Sequence, residues 1–485
     1  MDNTSSVTDN NNIIHEVVPL KEKLSFAFTN TGQTMIYGLF SMLMLFMTDY
    51  LHISASVAGL IITLTRIFDA VNDPIMGQIV DKTNTKWGKC RPYMLFTPIP
   101  VAIFALLMFA PYRFDKAAQT AYAVIIYLLF TIVYTANDIP YWSMSSVITT
   151  DPDQRTKIIT LTRLIGGLGS GLCIGGVWDV NKFFRNVLGA GYHTGFFYSA
   201  CVFIVLGTAI MLQGFFNTKE RAVSSHNKES FFSNLKLIPK SKPLMLNIIG
   251  GSLYSIMLVG TTALTTYFIK WNVKELFPDM SSVDIMSIFT PIVGILPAIA
   301  TVVGLVTVPL LIKKFEKKDV LIASCILGVV VNVVAYFVGY KNLYVFLILR
   351  FFAFLPMGTW SGITTLFIGD SVDHLEYLTG KRLEGTCFSI LTFMGKFQNS
   401  INVAITGLIL TIVGYNGALD PDTQSQSALT TAGIFFMVTL VSGLGYLLAM
   451  IPFFFYKLDK KELEFIVAEN LKRRQSKEAA PPQQQ

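Results

Sequence analysis

Charge is what this chain has least of. Across 485 residues only 14% are Asp, Glu, Lys or Arg, where an ordinary soluble domain carries about 25%, and that shortfall excludes a soluble globular domain of usual composition. Cysteine is also scarce. Cys90, Cys173, Cys201, Cys325 and Cys387 stand far apart, without metal-ligand spacing or a disulfide framework, and read as small apolar packing residues. The five histidines are equally dispersed, so no metal motif and no nucleophile with its base is present, and an enzyme is not expected. The first eighteen residues lack the basic start and short apolar core of a cleavable signal, so the first apolar run is expected to stay in the mature protein.

What is present in abundance is apolar length. Hydrophobic residues make up 52% of the chain and the mean hydropathy is +0.53. A helix of about 20 apolar residues crosses a hydrocarbon core of about 30 Å, and twelve such runs can be read. They are Leu24 to Tyr50, Ala55 to Val80, Tyr93 to Ala110, Ala118 to Ser146, Ile159 to Val177, Gly195 to Phe216, Leu244 to Ile269, Val283 to Ile312, Val320 to Val338, Leu343 to Ile368, Gly385 to Val413 and Ala428 to Tyr456. With both termini placed in the cytoplasm, 27 of the 38 Lys and Arg fall on the inner side, 7 on the outer side and 4 within spans, the bias expected of a multi-pass protein of a cell membrane. That bias accounts for the net charge of +7 without a nucleic-acid partner. The longest polar break, 217–243, divides the chain six spans from six, which predicts a cytoplasmic tail at 1–23, bundles at 24–216 and 244–456, and a second tail at 457–485. The second tail starts as a short amphipathic helix and ends in a Pro- and Gln-rich string. No extra soluble domain is expected.

Against this background the stretch TRIFDAVNDPIMGQIVDKTNTKWGKCRP, Thr65 to Pro92, stands out. Asp69 lies about 14 residues into its span, or about 21 Å along the helix, and Arg66, Asp69 and Asp73 share one helical face. Each charge at that depth costs about 2.5 to 3.5 kcal/mol. Arg66 compensates one aspartate and leaves the other to hold a proton or a metal cation with oxygen ligands. A packing alternative, an Arg–Asp pair that only joins helices, explains Arg66 with one aspartate and not two.

Other spans add polar groups: Asp138 in YTANDIPYWSM, Arg163 in the fifth span, Lys396 in TFMGKFQNS, and the uncharged patch TNTGQT around Gln33 in the first. Together they predict a cavity lined by opposite charges. Trp142, one turn beyond Asp138, suits the apolar face of a sugar ring. Each has a plainer reading: Arg163 lies within snorkelling distance of the inner end, Lys396 serves as a structural ion-pair partner, Gln33 joins helices, and Arg350, near an outer end, is structural. The run GGLGSGLCIGG in the fifth span lacks the strand–turn–helix context of a nucleotide loop and reads as close helix packing.

FDAVNDPIMGQIVDKTNTKWGKCRPY, then NDIPYWSM, then EYLTGKRLEG, resemble the signatures of the glycoside, pentoside and hexuronide to cation symporters of the major facilitator superfamily, the melibiose permease type, over nearly the whole chain. The resemblance implies an all-α membrane protein with the major facilitator fold, two six-helix bundles working by alternating access, and uptake of a sugar driven by H+, Na+ or Li+, with no other cofactor. Positions matching the family's cation ligands are Asp69, Asn72, Asp73 and Thr135, with the two aspartates as metal ligands if the ion is Na+. Positions matching its sugar contacts are Asp138, Trp142 and Arg163, with Thr392 and Lys396 from span eleven, and Arg66 matches a charge-network arginine. A functional monomer in membrane lipid is expected.

One position departs from that pattern. Where the melibiose type has a second sugar-binding aspartate in span one, this chain has Gln33, preceded by Gly32 rather than a lysine. A glutamine keeps a donor and an acceptor but loses charge-assisted hydrogen bonds, so an α-galactoside is not expected; glucosides, xylosides, other disaccharides and a uronide stay open, with Asp138 favouring a neutral glycoside over an anionic one. The rival from another class, a channel, would show pore-lining rings; a cation-coupled lipid or drug transporter of the same fold would keep the aspartates of span two and lose the Asp138, Trp142 and Lys396 constellation.

Overall fold

The computed structural model describes residues 18–478 except 113, 150–151, 190, 222–236, 261–262 and 381–383, together with Val7–Thr8 and Ile14–His15. Apart from the antiparallel pairing of those two short segments, its regular structure is helical. Each of the twelve apolar runs falls on helix, and nine helices among the described residues are long and apolar enough to cross a membrane. Spans two, four, five and six are Ala55–Lys82, Lys116–Val147, Pro152–Leu188 and Tyr192–Asn217. Spans eight to eleven are Ser282–Leu311, Lys317–Val338, Leu343–Thr379 and Glu384–Ile412.

The remaining spans are interrupted, each for a local reason. Span three breaks at Thr97 into Arg91–Phe96 and Pro98–Phe109, because Pro98 brings no N–H to the helical ladder. Span one runs Leu20–Phe40, turns, and resumes in the π-helical segment Phe46–Tyr50. Span seven passes from Lys242–Tyr254 through a 3-10 turn, Met257–Gly260, to a second π segment, Ile269–Val273. Span twelve carries a third, Met437–Val441, between Ala428–Phe436 and Ser442–Phe454. π turns recur at functional positions, and all three here either carry or contact a buried charge.

Span two shows how sequence spacing sorts environments. Leu60, Leu64, Ile67, Val71 and Ile75 form an exposed stripe at helical period, whereas Ala58, Ile61, Ile62, Thr65 and Asp69 are buried. The apolar stripe suits lipid and the aspartate turns toward protein.

The chain forms two compact units. One comprises Met1–His226, Thr266–Gly294 and Thr406–Thr431, the other Asn227–Thr265, Ile295–Ile405 and Ala432–Gln485. In the first, glycine lets backbones touch: a Cβ on Gly32 would stand 2.3 Å from the carbonyl oxygen of Gly207, and one on Gly169 would stand 2.1 Å from that of Thr31. Spans six and five therefore pack on span one through small residues, the role expected for the glycine-rich run. Phe40 and Phe130 stack at 3.8 Å between ring centroids in its core.

The second unit is centred on Tyr254, Trp360, Phe367, Tyr446, Phe453 and Tyr456, with Tyr254 and Trp360 stacked at 4.3 Å. Arg350, expected to be structural, is 2% exposed. Its guanidinium donates to Asn332 Oδ1 at 3.0 Å and to the carbonyls of Val438 at 2.7 Å and Gly260 at 2.8 Å. It thus caps carbonyls in the π segment of span twelve and at the end of the 3-10 turn of span seven, where regular helical bonding fails. The tail helix Lys460–Glu478 fastens to the end of span ten, Asn470 donating to the carbonyl of Asp373 at 2.9 Å and Arg473 to that of Tyr377 at 2.8 Å.

Candidate functional site

Span two presents Asp69 inward and span four answers it. Thr135 Oγ1 donates to Asp69 Oδ1 at 2.8 Å, with Thr135 1% exposed and Asp69 6%. Arg66, one turn before Asp69, lays its guanidinium over the Tyr37 ring at 5.1 Å, and Tyr37 leans on Tyr134 of span four at 5.6 Å. Asn72 and Asp73 follow on the same helix, both half-buried, with Pro74 loosening the ladder beside them. The donor set is all oxygen: two carboxylates, an amide and a hydroxyl. Such a set fits a hard cation or a proton. Among the described residues no group of three or more His, Cys, Asp or Glu is close enough to hold a metal ion, so any ion would need the amide and hydroxyl oxygens as well.

One turn beyond Thr135 on span four stands a third carboxylate, Asp138. Gln33 Nε2 donates to Asp138 Oδ1 at 2.8 Å and to Asn137 Oδ1 at 3.3 Å, while its oxygen accepts from Asn30 Nδ2 at 3.1 Å. Asn137 in turn donates to Thr97 Oγ1 at 2.7 Å. Gln33 is 1% exposed and bonded at both ends of its amide, so it holds Asp138 in place. Trp142 is half-buried, and Arg163, exposed on span five, lies over its ring at 5.2 Å. The first unit therefore brings together Gln33, Arg66, Asp69, Asn72, Asp73, Thr135, Asp138, Trp142 and Arg163 on spans one, two, four and five. Lys396 is half-buried in the second unit, and the side chain of Thr392 lies outside the described residues.

Several polar partners escape a sequence reading. Asn137 and Thr97 carry no charge to mark them in an apolar run, and their only signal is an amide or hydroxyl within a span, whereas Asn30 belongs to the polar patch TNTGQT. Lys270 is a clearer miss. With span seven ending at Ile269 it counts as an outer loop lysine, yet it is 2% exposed and ion-paired with Asp49. Helix continues beyond Ile269 through the π segment and carries the lysine inward.

The MFS/sugar transport protein model matches residues 25–460. The chain belongs to that family, within its glycoside–pentoside–hexuronide symporter group. This transporter is 29% identical over 464 residues to the isoprimeverose transporter of Lactiplantibacillus pentosus, covering 94% of this chain and 93% of that protein. It is 30% identical over 467 residues to an uncharacterized symporter of Bacillus subtilis, covering 92% and 94%. The nucleoside transporter NupG, as a D323A mutant, superposes with a TM-score of 0.64 at 15% identity, covering 90% of this chain and all of that one, and so shares the fold. The protein is a multi-pass membrane transporter of the major facilitator superfamily and not an enzyme.

Proposed function

We propose that this transporter is a secondary active symporter that couples inward movement of H+ or Na+ to uptake of a neutral glycoside or disaccharide by alternating access of two six-helix bundles, with both termini in the cytoplasm. The observation that carries the reading is on span four: Thr135 binds the Asp69 carboxylate, and Asp138, three residues later, is held by Gln33. A cation bound by Asp69, Asn72, Asp73 and Thr135 removes the repulsion between the two aspartates and draws spans two and four together. The same span then presents Asp138 and Trp142 to a sugar, the carboxylate accepting from hydroxyls and the indole covering an apolar ring face. Arg163 braces Trp142 through the cation–π contact, and Lys396 and Thr392 are offered from span eleven. Gln33 acts on the sugar by orienting Asp138.

Because both ligands bias one helix, each raises affinity for the other by the same factor. One charge moved through 100 mV supplies about 2.3 kcal/mol, enough for roughly fifty-fold accumulation. The names of the relatives support a sugar as cargo and symport as the mode.

The deciding experiment is uptake by energised vesicles over a panel of glycosides, read with a pH electrode and with a sodium indicator. A sugar that drives cation entry, and whose accumulation collapses with the gradient, is the expected result. Cation-coupled uptake of amphiphiles with no response to any glycoside would replace this reading with that of a lipid or drug transporter.

A further inference from the structure

The buried ion pair of the first unit lies away from the residues proposed to bind cation and sugar. Asp49 sits in the π segment Phe46–Tyr50 near the end of span one, and Lys270 in the π segment Ile269–Val273 near the end of span seven. Their side chains are 1% and 2% exposed, and Lys270 Nζ bonds Asp49 Oδ2. The carboxylate is saturated by hydroxyls: Thr48 Oγ1 donates at 2.7 Å, and Tyr415 OH lies 2.9 Å from Oδ1 and 3.1 Å from Oδ2. Tyr267 closes the group, its hydroxyl 2.8 Å from that of Thr48. Spans one and seven and the loop that follows span eleven thus converge on this buried pair.

Two physical points give this cluster a purpose. A fully desolvated ion pair has a net worth near zero against an apolar core, but separating it inside protein leaves two uncompensated charges. It is stable closed, and it is stable open only when water reaches both partners. The second point is geometric. In span one the N–H of Leu51 bonds the carbonyl of Phe46, the wide turn that aims Asp49 at Lys270. The extra residue that a π turn holds sets the direction in which Asp49, inside it, points.

We propose that Asp49 and Lys270 form a latch that closes the end of the transport path farthest from the termini, and that their separation is an obligatory step when that end opens. The pair is a positioning device and touches neither ligand. The segments Thr266–Gly294 and Thr406–Thr431 belong to the first unit, and the latch is the buried charge contact among those that keep them there. A contact on the same side, Lys182 with Asp284 and partly exposed, is already wet and offers less resistance. The assignment rests on the alternating-access reading above, but its test uses no sugar and no ion gradient.

Thr48→Cys places a nearly isosteric thiol in the cluster. Right-side-out vesicles carrying it are treated with a membrane-impermeant maleimide, with the parent chain as the blank for the native cysteines. The D49N change in that background is expected to raise the labelling rate about tenfold or more, and D49N/K270M, which leaves no unpaired charge, is expected to do the same. The exchanged pair D49K/K270D is expected to return the rate to within about threefold of the parent. Parental rates in both D49N and D49N/K270M would overturn the latch, as would an exchanged pair labelled as fast as the neutral one. A monodisperse detergent-extracted D49N protein shows that fast labelling reports opening and not unfolding. Parental labelling of both neutral variants would sink the latch while leaving sugar symport standing; absence of sugar-driven cation entry would sink symport while leaving the labelling result intact.

Discussion

Thr135 and Asp138 are one helical turn apart on span four, and each is tied to a different helix: Thr135 to Asp69 of span two at 2.8 Å, Asp138 to Gln33 of span one at 2.8 Å. A movement of span four that changes one bond changes the other. Coupling between two ligands needs an element that both ligands bias, and in the symport proposed above this turn of helix would be that element.

Thr135→Val, which keeps shape and removes the hydroxyl, is therefore expected to weaken cation binding by about ten- to a hundredfold, the size of one hydrogen bond to a charged group, about 1.5 to 3 kcal/mol. Sugar affinity measured at saturating cation should change less than at limiting cation. Titration of each ligand at fixed levels of the other checks this; equal loss of sugar affinity at all cation concentrations would place Thr135 in the sugar site.

A carboxylate at position 33 is expected from the sequence alone to favour galactosides. The structure changes that expectation, because Gln33→Asp, one methylene shorter than glutamine, replaces the amide donor to Asp138 with a second carboxylate within about 4 to 6 Å of it, close enough for like charges to disfavour each other. Such a pair holds one proton between its members. Sugar affinity should fall as pH rises and that proton is lost, with little change in the rank order of sugars, whereas Gln33→Ala should weaken every sugar and show no new pH dependence. Competition by several glycosides at pH 6 and at pH 9 separates the two expectations.

Glu220 accepts hydrogen bonds from three successive backbone N–H groups, those of Lys89 at 2.9 Å, Cys90 at 2.7 Å and Arg91 at 2.9 Å, and so caps the helix Arg91–Phe96. Glu220→Ala is expected to cost about 1 to 3 kcal/mol of stability, read as a lowered midpoint in thermal unfolding of the detergent-solubilised protein.

Burial, with the Glu220 charge adding to it, pushes the Cys90 thiol up to about 12. At pH 8 the thiolate is then roughly one molecule in ten thousand, so Cys90 should resist alkylation in the folded protein and react at pH 8 only after denaturation. Tryptic mapping of a labelled sample checks this, and rapid native labelling at position 90 would contradict the packed loop.

Arg350 donates to two backbone carbonyls and an amide oxygen, those of Val438, Gly260 and Asn332. Arg350→Lys keeps the charge but not the fork, and Arg350→Met takes the donor from Asn332 and Val438 and leaves the Gly260 carbonyl only the Thr265 hydroxyl at 3.2 Å. Both are expected to lower the yield of folded protein, the second by about 3 kcal/mol or more of stability. Fluorescence-detected size-exclusion after graded heating measures the order.

Sequence by itself determined the solvent this chain lives in and the faces of its helices. Apolar runs at membrane length, the inner bias of Lys and Arg, and the exposed stripe Leu60, Leu64, Ile67, Val71 and Ile75 opposite Asp69 follow from composition and helical period, which are local properties. The expense of a carboxylate in a span likewise marked Asp69, Asp73 and Asp138, because burying charge has one sign in every fold. Tertiary structure alone decided which groups meet. Gln33 bonds Asp138 across a separation of 105 positions and Lys270 bonds Asp49 across 221, and no periodicity encodes a contact between helices. The π turns at Phe46–Tyr50 and Ile269–Val273 were equally hidden, since a single extra residue in a helical turn is too small a change to alter an apolar pattern, yet it decides whether Asp49 and Lys270 face each other or point apart.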